Sequence, residues 1–335
     1  MIQIKLNLGG NKFMSEQIVL RELLNSQRII GTLKEMNLER KQNKKDPSKM
    51  QIQGNIVVMS EVAGKVSEHR IELFAFTTSK LAKGYETVMK EYKAADVVGK
   101  ENATRVQVTG NIDINDYMNG EGKLITSNRN RGVFVNRIDD PSIQDEALAQ
   151  VELVITNVQP ALDKDQLETG EYKLSGFTVG YNGTVIELKN MIVGTDLADV
   201  ITEHYEVGST GKLTFAVNNY VETIEGAPKE DDGASGFGMQ VDLDNTIKNY
   251  VRELRVVGGF PPYFDERAYT EEQVDLAKKT RALKLQEVKN AVPATPPKAA
   301  GGFGVNGAAP SGSAPADPFA NSGNPIDISD DDLPF

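Results

Sequence analysis

Between His69 and Thr77 the side chains alternate with period two. Ile71, Leu73 and Ala75 fall on one face, and Arg70, Glu72, Phe74 and Phe76 on the other. That period belongs to a half-buried β-strand. A few residues on, the spacing becomes helical, with Leu81, Tyr85, Val88, Met89 and Tyr92 on one side. The switch places one helix inside a β-rich segment, and the rest of the chain can be read outward from it.

Arg28–Leu38 reads as a strand, followed by a polar, basic loop over Glu39–Lys49. Met50–Met59 alternates through Ile52, Ile56 and Val58, and Gly64 marks a turn. After the helix, Arg105–Asp116 and Gly132–Ile138 read as strands around the turn Asn119-Gly120-Glu121-Gly122. Three strands, a helix and two more strands is the order of a five-stranded oligonucleotide-binding (OB) barrel.

The plan then repeats. Ala149–Val158, Glu171–Val179 and Thr184–Val193 read as strands, with a turn at Tyr181-Asn182-Gly183. Leu197–Tyr205 fits a short helix, and Gly211–Thr223 and Thr246–Val257 close the set. The polar, acidic stretch Glu225–Gly238 is a long loop between the last two strands. Arg105–Tyr117 echoes Lys212–Glu222, and Val133–Ile138 echoes Tyr250–Val256. The expected fold is all-β with minor α. It comprises two tandem five-stranded OB barrels, a C-terminal helix and a disordered acidic-tipped tail.

The expected domains follow this order. Residues 1–26 are an N-terminal extension, 27–138 the first OB domain and 139–259 the second. Residues 260–292 are a helical segment, 293–326 a linker and 327–335 an acidic tip. In the helical segment, Thr270 and Gln273 have the spacing of a capping box. Val274, Ala277, Leu285, Val288 and Val292 share a face that Arg281 interrupts, with Leu276 and Leu283 on the opposite side. From Pro293 the chain turns to Pro, Ala, Gly, Ser and Asn, a composition that cannot offset its ordering entropy by burial.

Charge separates the two barrels. The 335-residue chain carries a net −11. Residues 28–137 hold 19 Lys and Arg against 13 Asp and Glu, a net of +6. Residues 138–259 hold 8 against 22, a net of −14. A polyanion is met by a region, so the first barrel is the candidate and the second a poor one. The second could dimerise, brace the first or bind a basic partner. A local path through Lys173, Phe177, Tyr181, Lys189 and Lys212 stays open.

Arg40, Lys41, Lys44, Lys45 and Lys49 in the first loop are candidate phosphate contacts, as are Arg70 and, around the second hairpin, Lys123, Arg129, Arg131 and Arg137. Phe74, Phe76 and Tyr117 are candidate stacking platforms for bases. Alternation does not say which face points inward, so Phe74 and Phe76 serve equally as core. The basic run serves equally as a solvated loop.

The absence of cysteine excludes disulfides and thiolate metal sites. His69 and His204 alone make no histidine metal centre, and no metal or cofactor is expected. Asp113/Asp116 and Asp242/Asp244 have the spacing of strand or turn residues and no His or Lys partner motif. No phosphate-binding loop, nucleophile elbow or zinc-protease motif occurs, so no enzyme is expected. No secretion signal and no apolar run of roughly 18 residues occurs, which points to the cytoplasm.

The chain ends in Asp330-Asp331-Asp332-Leu333-Pro334-Phe335. Leu333 and Phe335 could fill an apolar pocket, the α-carboxylate could pair with a basic rim, and the aspartates could steer the approach. Pro334 lowers the ordering cost. An acidic run alone would be a solubilising tail, but a terminal Phe has no solubilising value. This tip resembles that of bacterial-type single-stranded DNA-binding proteins. His69-Arg70-Ile71-Glu72-Leu73-Phe74 is similar to that family's third-strand signature. Val108-Thr109-Gly110-Asn111-Ile112 resembles the strand after its helix, and Tyr117 falls where it commonly places an aromatic.

The resemblance implies coating and protection of single-stranded DNA in replication, recombination and repair. It also implies recruitment of helicases, primase- or polymerase-associated subunits, nucleases and recombination mediators through the tip. Two barrels per chain would make a homodimer the simplest way to present four. The architecture would suit a bacteriophage protein using host partners. The chain departs from the family in having no tryptophan and in carrying Glu68 before the His-Arg pair, which would weaken stacking or move it toward Tyr85, Tyr92 or Phe134. An adaptor that uses the tip without coating DNA is the alternative.

Overall fold

Strands carry this chain because β-branched and aromatic residues recur with period two and are interrupted by turn residues. A computed structural model describes residues 18–44, 46–225 and 246–291. The predicted Glu225–Gly238 loop beyond Glu225, the linker and the acidic tip lie outside the described residues.

The first barrel contains β1 (Asn25–Gln42), β2 (Met50–Val62) and β3 (Lys65–Phe76), then α1 (Lys80–Glu91) and the short α2 (Ala95–Val98). It closes with β4 (Arg105–Met118) and β5 (Leu124–Arg137). β1 pairs with β2 and β4, β2 with β3, β3 with β5 in parallel, and β5 with β4, so the sheet closes on itself. The second barrel repeats this with β6 (Glu146–Leu162), β7 (Glu168–Gly180), β8 (Thr184–Val193), α3 (Ala198–His204), β9 (Thr210–Glu225) and β10 (Thr246–Gly259). There β8 and β10 are the parallel pair, and β9 returns to β6. Helix α4 (Glu271–Asn290) follows. No helix among the described residues is long and apolar enough to cross a membrane.

Several boundaries differ from the sequence reading, and two of them shape the candidate face. Glu39–Gln42 is strand rather than loop, because it pairs with Met50–Gln53 in a long β1–β2 arm. β5 begins at Leu124, eight residues earlier than its apolar alternation, because Leu124–Arg131 pairs with Asn111–Met118. In both cases backbone pairing extends a strand through polar residues that carry no hydrophobic period.

The inner face of the first barrel is filled by residues such as Ile29, Leu33, Ile56, Ile71, Leu73 and Val108, all nearly inaccessible. Each such side chain contributes about 1.5–3 kcal/mol. α1 plugs one end with Ala82, Tyr85 and Val88, and Ser79 caps it by accepting from the Leu81 amide. The Tyr85 hydroxyl donates to the carbonyls of Gly132 and Val133, 3.3 and 3.1 Å away. Burial pushes its pKa up to about 12. Gly132 sits where β5 crosses the core, and a β-carbon there would lie 2.6 Å from Leu73 Cδ2 and 2.9 Å from Ile71 Cγ2, so those side chains would have to shift.

The barrels are joined by antiparallel pairing of their first strands, from Asn25 with Val151 to Ile30 with Glu146. Arg28 adds an ion pair to Glu146 at 2.6 Å. β9 also lies against β3, and β4 against β8. These contacts exchange equivalent strands, as two copies about a two-fold axis would. At the β3–β9 contact Lys65 reaches Glu222 at 2.7 Å and the Tyr220 hydroxyl at 2.8 Å.

Candidate nucleic-acid interface

On β3, burial alternates without exception from Ser67 to Phe76. His69, Ile71, Leu73 and Ala75 point into the core, which leaves Arg70, Glu72, Phe74 and Phe76 outside. Phe74 and Phe76 are 37% and 36% exposed. Their rings meet edge to face, with centroids 5.1 Å apart and planes at 82°. Gln53 and Gln51 of β2 stand opposite them in register.

The same face continues onto β5 and β4. Glu72 is 3.2 Å from Arg129, and Arg129 is 2.7 Å from Asp113. Arg131 lies 3.8 Å from Asp113. Phe134 is 55% exposed, and Tyr117, toward the β4–β5 tip, is 42% exposed. Of the other aromatic candidates, Tyr85 is core and unavailable for stacking. Tyr92 is partly buried, with its hydroxyl 3.5 Å from the Val135 carbonyl.

The cations divide into two groups. Lys44, Arg70 and Lys123 make no ion pair among the described residues. The others already face carboxylates. Arg40 pairs with Glu86 of α1 and Lys41 with Glu39. Lys49 is 3.0 Å from Asp46, and Arg137 is 2.6 Å from Asp139. Exposed pairs of this kind are worth about 0–1 kcal/mol, so phosphates can compete for the cation. Lys45 and the tip residues Asp330, Asp331, Asp332, Leu333, Pro334 and Phe335 lie outside the described residues.

On the second barrel, the outer face of β7 and β8 beside their hairpin is closed. Phe177 and Val179 alternate with Thr178, so they leave the barrel core and point outward with Val154 and Val185. They are covered by Leu20, Leu23 and Tyr269, and by Val274 and Ala277 of α4. The Leu23 amide donates to the Val179 carbonyl at 2.8 Å. The Tyr269 ring sits 6.0 Å from Phe177 at 71°, and its hydroxyl donates to the Arg21 carbonyl. Phe177 therefore cannot belong to the suggested path through Lys173, Tyr181, Lys189 and Lys212, because the chain's own segments fill its surroundings.

Arg281, which interrupts the apolar stripe of α4, is its anchor. Its side chain is 8% exposed and donates to both carboxylate oxygens of Asp116, at 2.5 and 2.8 Å. Its Nε lies 3.4 Å from Glu187 of β8. Burial alone would raise the Asp116 carboxyl, but the Arg281 and Thr126 bonds outweigh it and hold the pKa below the usual range. The predicted capping box is present, with the Thr270 hydroxyl accepting from the Gln273 amide and the Gln273 side chain from the Thr270 amide. Sequence reasoning missed this anchor, although an arginine inside an apolar stripe is the signal of a buried partner.

His69 is fully enclosed. Its Nε2 is 2.9 Å from the Ser60 hydroxyl and its Nδ1 has no partner among the described residues. Burial pushes its pKa down to about 4. Among the described residues no three His, Asp or Glu side chains are grouped to hold a metal.

Closed five-stranded barrels in the order first, second, third, fifth and fourth strand, with a helix between the third and fourth, define the OB class. Within that class the chain belongs to the YorF family, whose family model matches residues 24–291. No curated protein sequence matches it. Among solved structures, it is similar to the wild-type single-stranded DNA binding protein from Thermus aquaticus. The identity is 11% and the TM-score 0.43, over 75% of this chain and 99% of that one. A deletion mutant of the same Thermus aquaticus protein matches at 11% identity and TM-score 0.44, over 75% and 98%.

Proposed function

We propose that the chain binds single-stranded DNA on the outer face of β2, β3, β5 and β4, and that it coats and protects the strand in replication, recombination and repair. One observation carries this reading. Phe74 and Phe76 stand exposed beside Arg70 on the first barrel, whereas the apolar patch of Phe177, Val179 and Val185 on the second barrel is covered by the chain itself. A base stacks on any aromatic ring with little sequence preference, and flanking cations exchange counterions for phosphates. Phe74, Phe76, Phe134 and Tyr117 are the stacking residues. Arg70, Lys44 and Lys123 are the first phosphate contacts, and Arg40, Lys41, Lys45, Lys49, Arg129, Arg131 and Arg137 the reserve.

Residues 27–138 then form the DNA-binding domain, and residues 139–259 form an acidic brace that contributes no second track of this kind. The tip Asp330-Asp331-Asp332-Leu333-Pro334-Phe335 recruits replication and repair proteins through its acidic run and apolar Leu-Pro-Phe. The setting is the cytoplasm, of a bacterial host if the chain is of phage origin.

Fluorescence anisotropy of the full chain with a labelled oligo-dT and a duplex of equal length, over a salt series, tests the reading. Tight, salt-sensitive binding of the single strand with little duplex binding is the expected result. Absence of single-strand preference at low salt would remove the coating role and leave an adaptor that acts through the tip.

A further inference from the structure

The β4–β5 hairpin outgrows its barrel. β1 supports β4 only through Arg105–Gly110, and β3 supports β5 only over Asn130–Gly132. Beyond those points Asp113–Met118 and Leu124–Arg129 have only each other as ladder partners. A free two-stranded arm is at best marginally stable in water. This arm nevertheless presents Tyr117 and Lys123 to the proposed DNA face, so something must hold it.

We infer that Arg281 of α4 is a positioning residue for this arm, and hence for Tyr117 and Lys123. Asp116 and Thr126 stand opposite each other in the arm, and the Thr126 hydroxyl donates to Asp116 at 2.6 Å. Arg281 grips Asp116 with two hydrogen bonds, and its Nη2 lies 3.4 Å from the Thr126 hydroxyl. Alternation sends Asp116 to the α4 side and Tyr117 to the other, so the grip holds the back of the arm and leaves its front open. The third partner, Glu187, ties the same guanidinium to the second barrel. Planar bidentate pairing fixes direction as well as distance, which a single-point contact would not. The covered face of the second barrel thereby acquires a role, because it seats the helix that steadies the DNA-binding arm of the first.

The inference rests on the proposed DNA face, and the test separates the two. Amide hydrogen exchange is measured on the free full-length protein, native and Arg281→Met, with Arg281→Lys as a milder variant that keeps the charge and loses the fork. Faster exchange at residues 113–128, with β1, β2 and β3 unchanged, is the expected result in both variants. Unchanged exchange in the arm overturns the inference whatever happens with DNA. Oligo-dT affinity is then compared for Tyr117→Ala and Phe74→Ala, each in the native and the Arg281→Lys background. Arg281→Lys should weaken binding by about 10-fold, on the scale of one lost base stack. In that background Tyr117→Ala should cost little more, while Phe74→Ala keeps its full effect. Equal losses from Tyr117→Ala in both backgrounds would show that Arg281 serves stability alone. A native chain that binds no oligo-dT, together with a loosened arm, would sink the DNA reading and leave the brace standing.

Discussion

Replacing Phe74 and Phe76 by alanine, singly and together, probes the first barrel's face through ring geometry. Each base stacked on an aromatic ring is worth about 1–3 kcal/mol, or about 5- to 150-fold in affinity. The two rings are perpendicular and 5.1 Å apart, so a base lying flat on one meets the other edge-on. One ring is then the platform and the other its wall, and their edge-to-face contact adds about 0.5–1.5 kcal/mol of support. Either single substitution should remove platform or wall and cost about 1–2 kcal/mol in oligo-dT binding. The double substitution should cost less than the sum of the singles, by about 0.5–1.5 kcal/mol. Anisotropy titrations at fixed salt read the four affinities, and thermal melts check that each variant stays folded. Strict additivity would refute the shared platform and imply two independent stacks. Full affinity in the double variant would remove the face from the binding site.

Three further outcomes follow from the same structure. The slope of log affinity against log salt should be about −2 if Lys44, Arg70 and Lys123 alone meet phosphates, and steeper if the carboxylate-paired cations exchange partners; Arg70→Gln should flatten it by about 0.7, and an unchanged slope would exclude Arg70. His69 stays neutral in the fold because its pKa of about 4 lies below the ordinary 6.5, so the unfolded chain takes up the proton first and stability falls as pH drops through that window. The loss between pH 7.5 and 5 should be about 2 kcal/mol by urea unfolding, and a His69→Gln variant with the same pH dependence would contradict this. Ala277 is fully buried where α4 covers the second barrel, so Ala277→Leu should overpack the seam and cost about 1–3 kcal/mol; an unchanged melting temperature would show that the cover is loose.

Much of the architecture was legible because its signals are local. The period-two run on β3, the helical spacing of α1, the Asn119–Gly122 turn and the Thr270–Gln273 capping box all lie within a few residues of their partners. The side of β3 that faces water was not legible, since alternation is symmetric and Phe74 and Phe76 read equally well as core. The extended β1–β2 and β4–β5 arms were invisible because polar residues such as Lys41 and Asn128 join a ladder through their backbones alone. Arg281 read as a flaw in a stripe because its partner Asp116 lies 165 positions away. The covering of Phe177 by Leu23 and Ala277 brings together three segments remote in sequence, and no pattern within any one of them announces it.

Antiparallel pairing of β1 with β6 gives the two barrels a different evolutionary freedom from that of two identical subunits. In a symmetric pair every substitution is inherited twice, so a residue that seals one face seals both. Here the halves are separate stretches of one gene. Phe177 could come to bury itself under a helix with no matching change in the first barrel. The pairing of the barrels is also indifferent to dilution, because neither half can diffuse away from the other. A chain built this way can hold one face open and one closed at any cellular concentration.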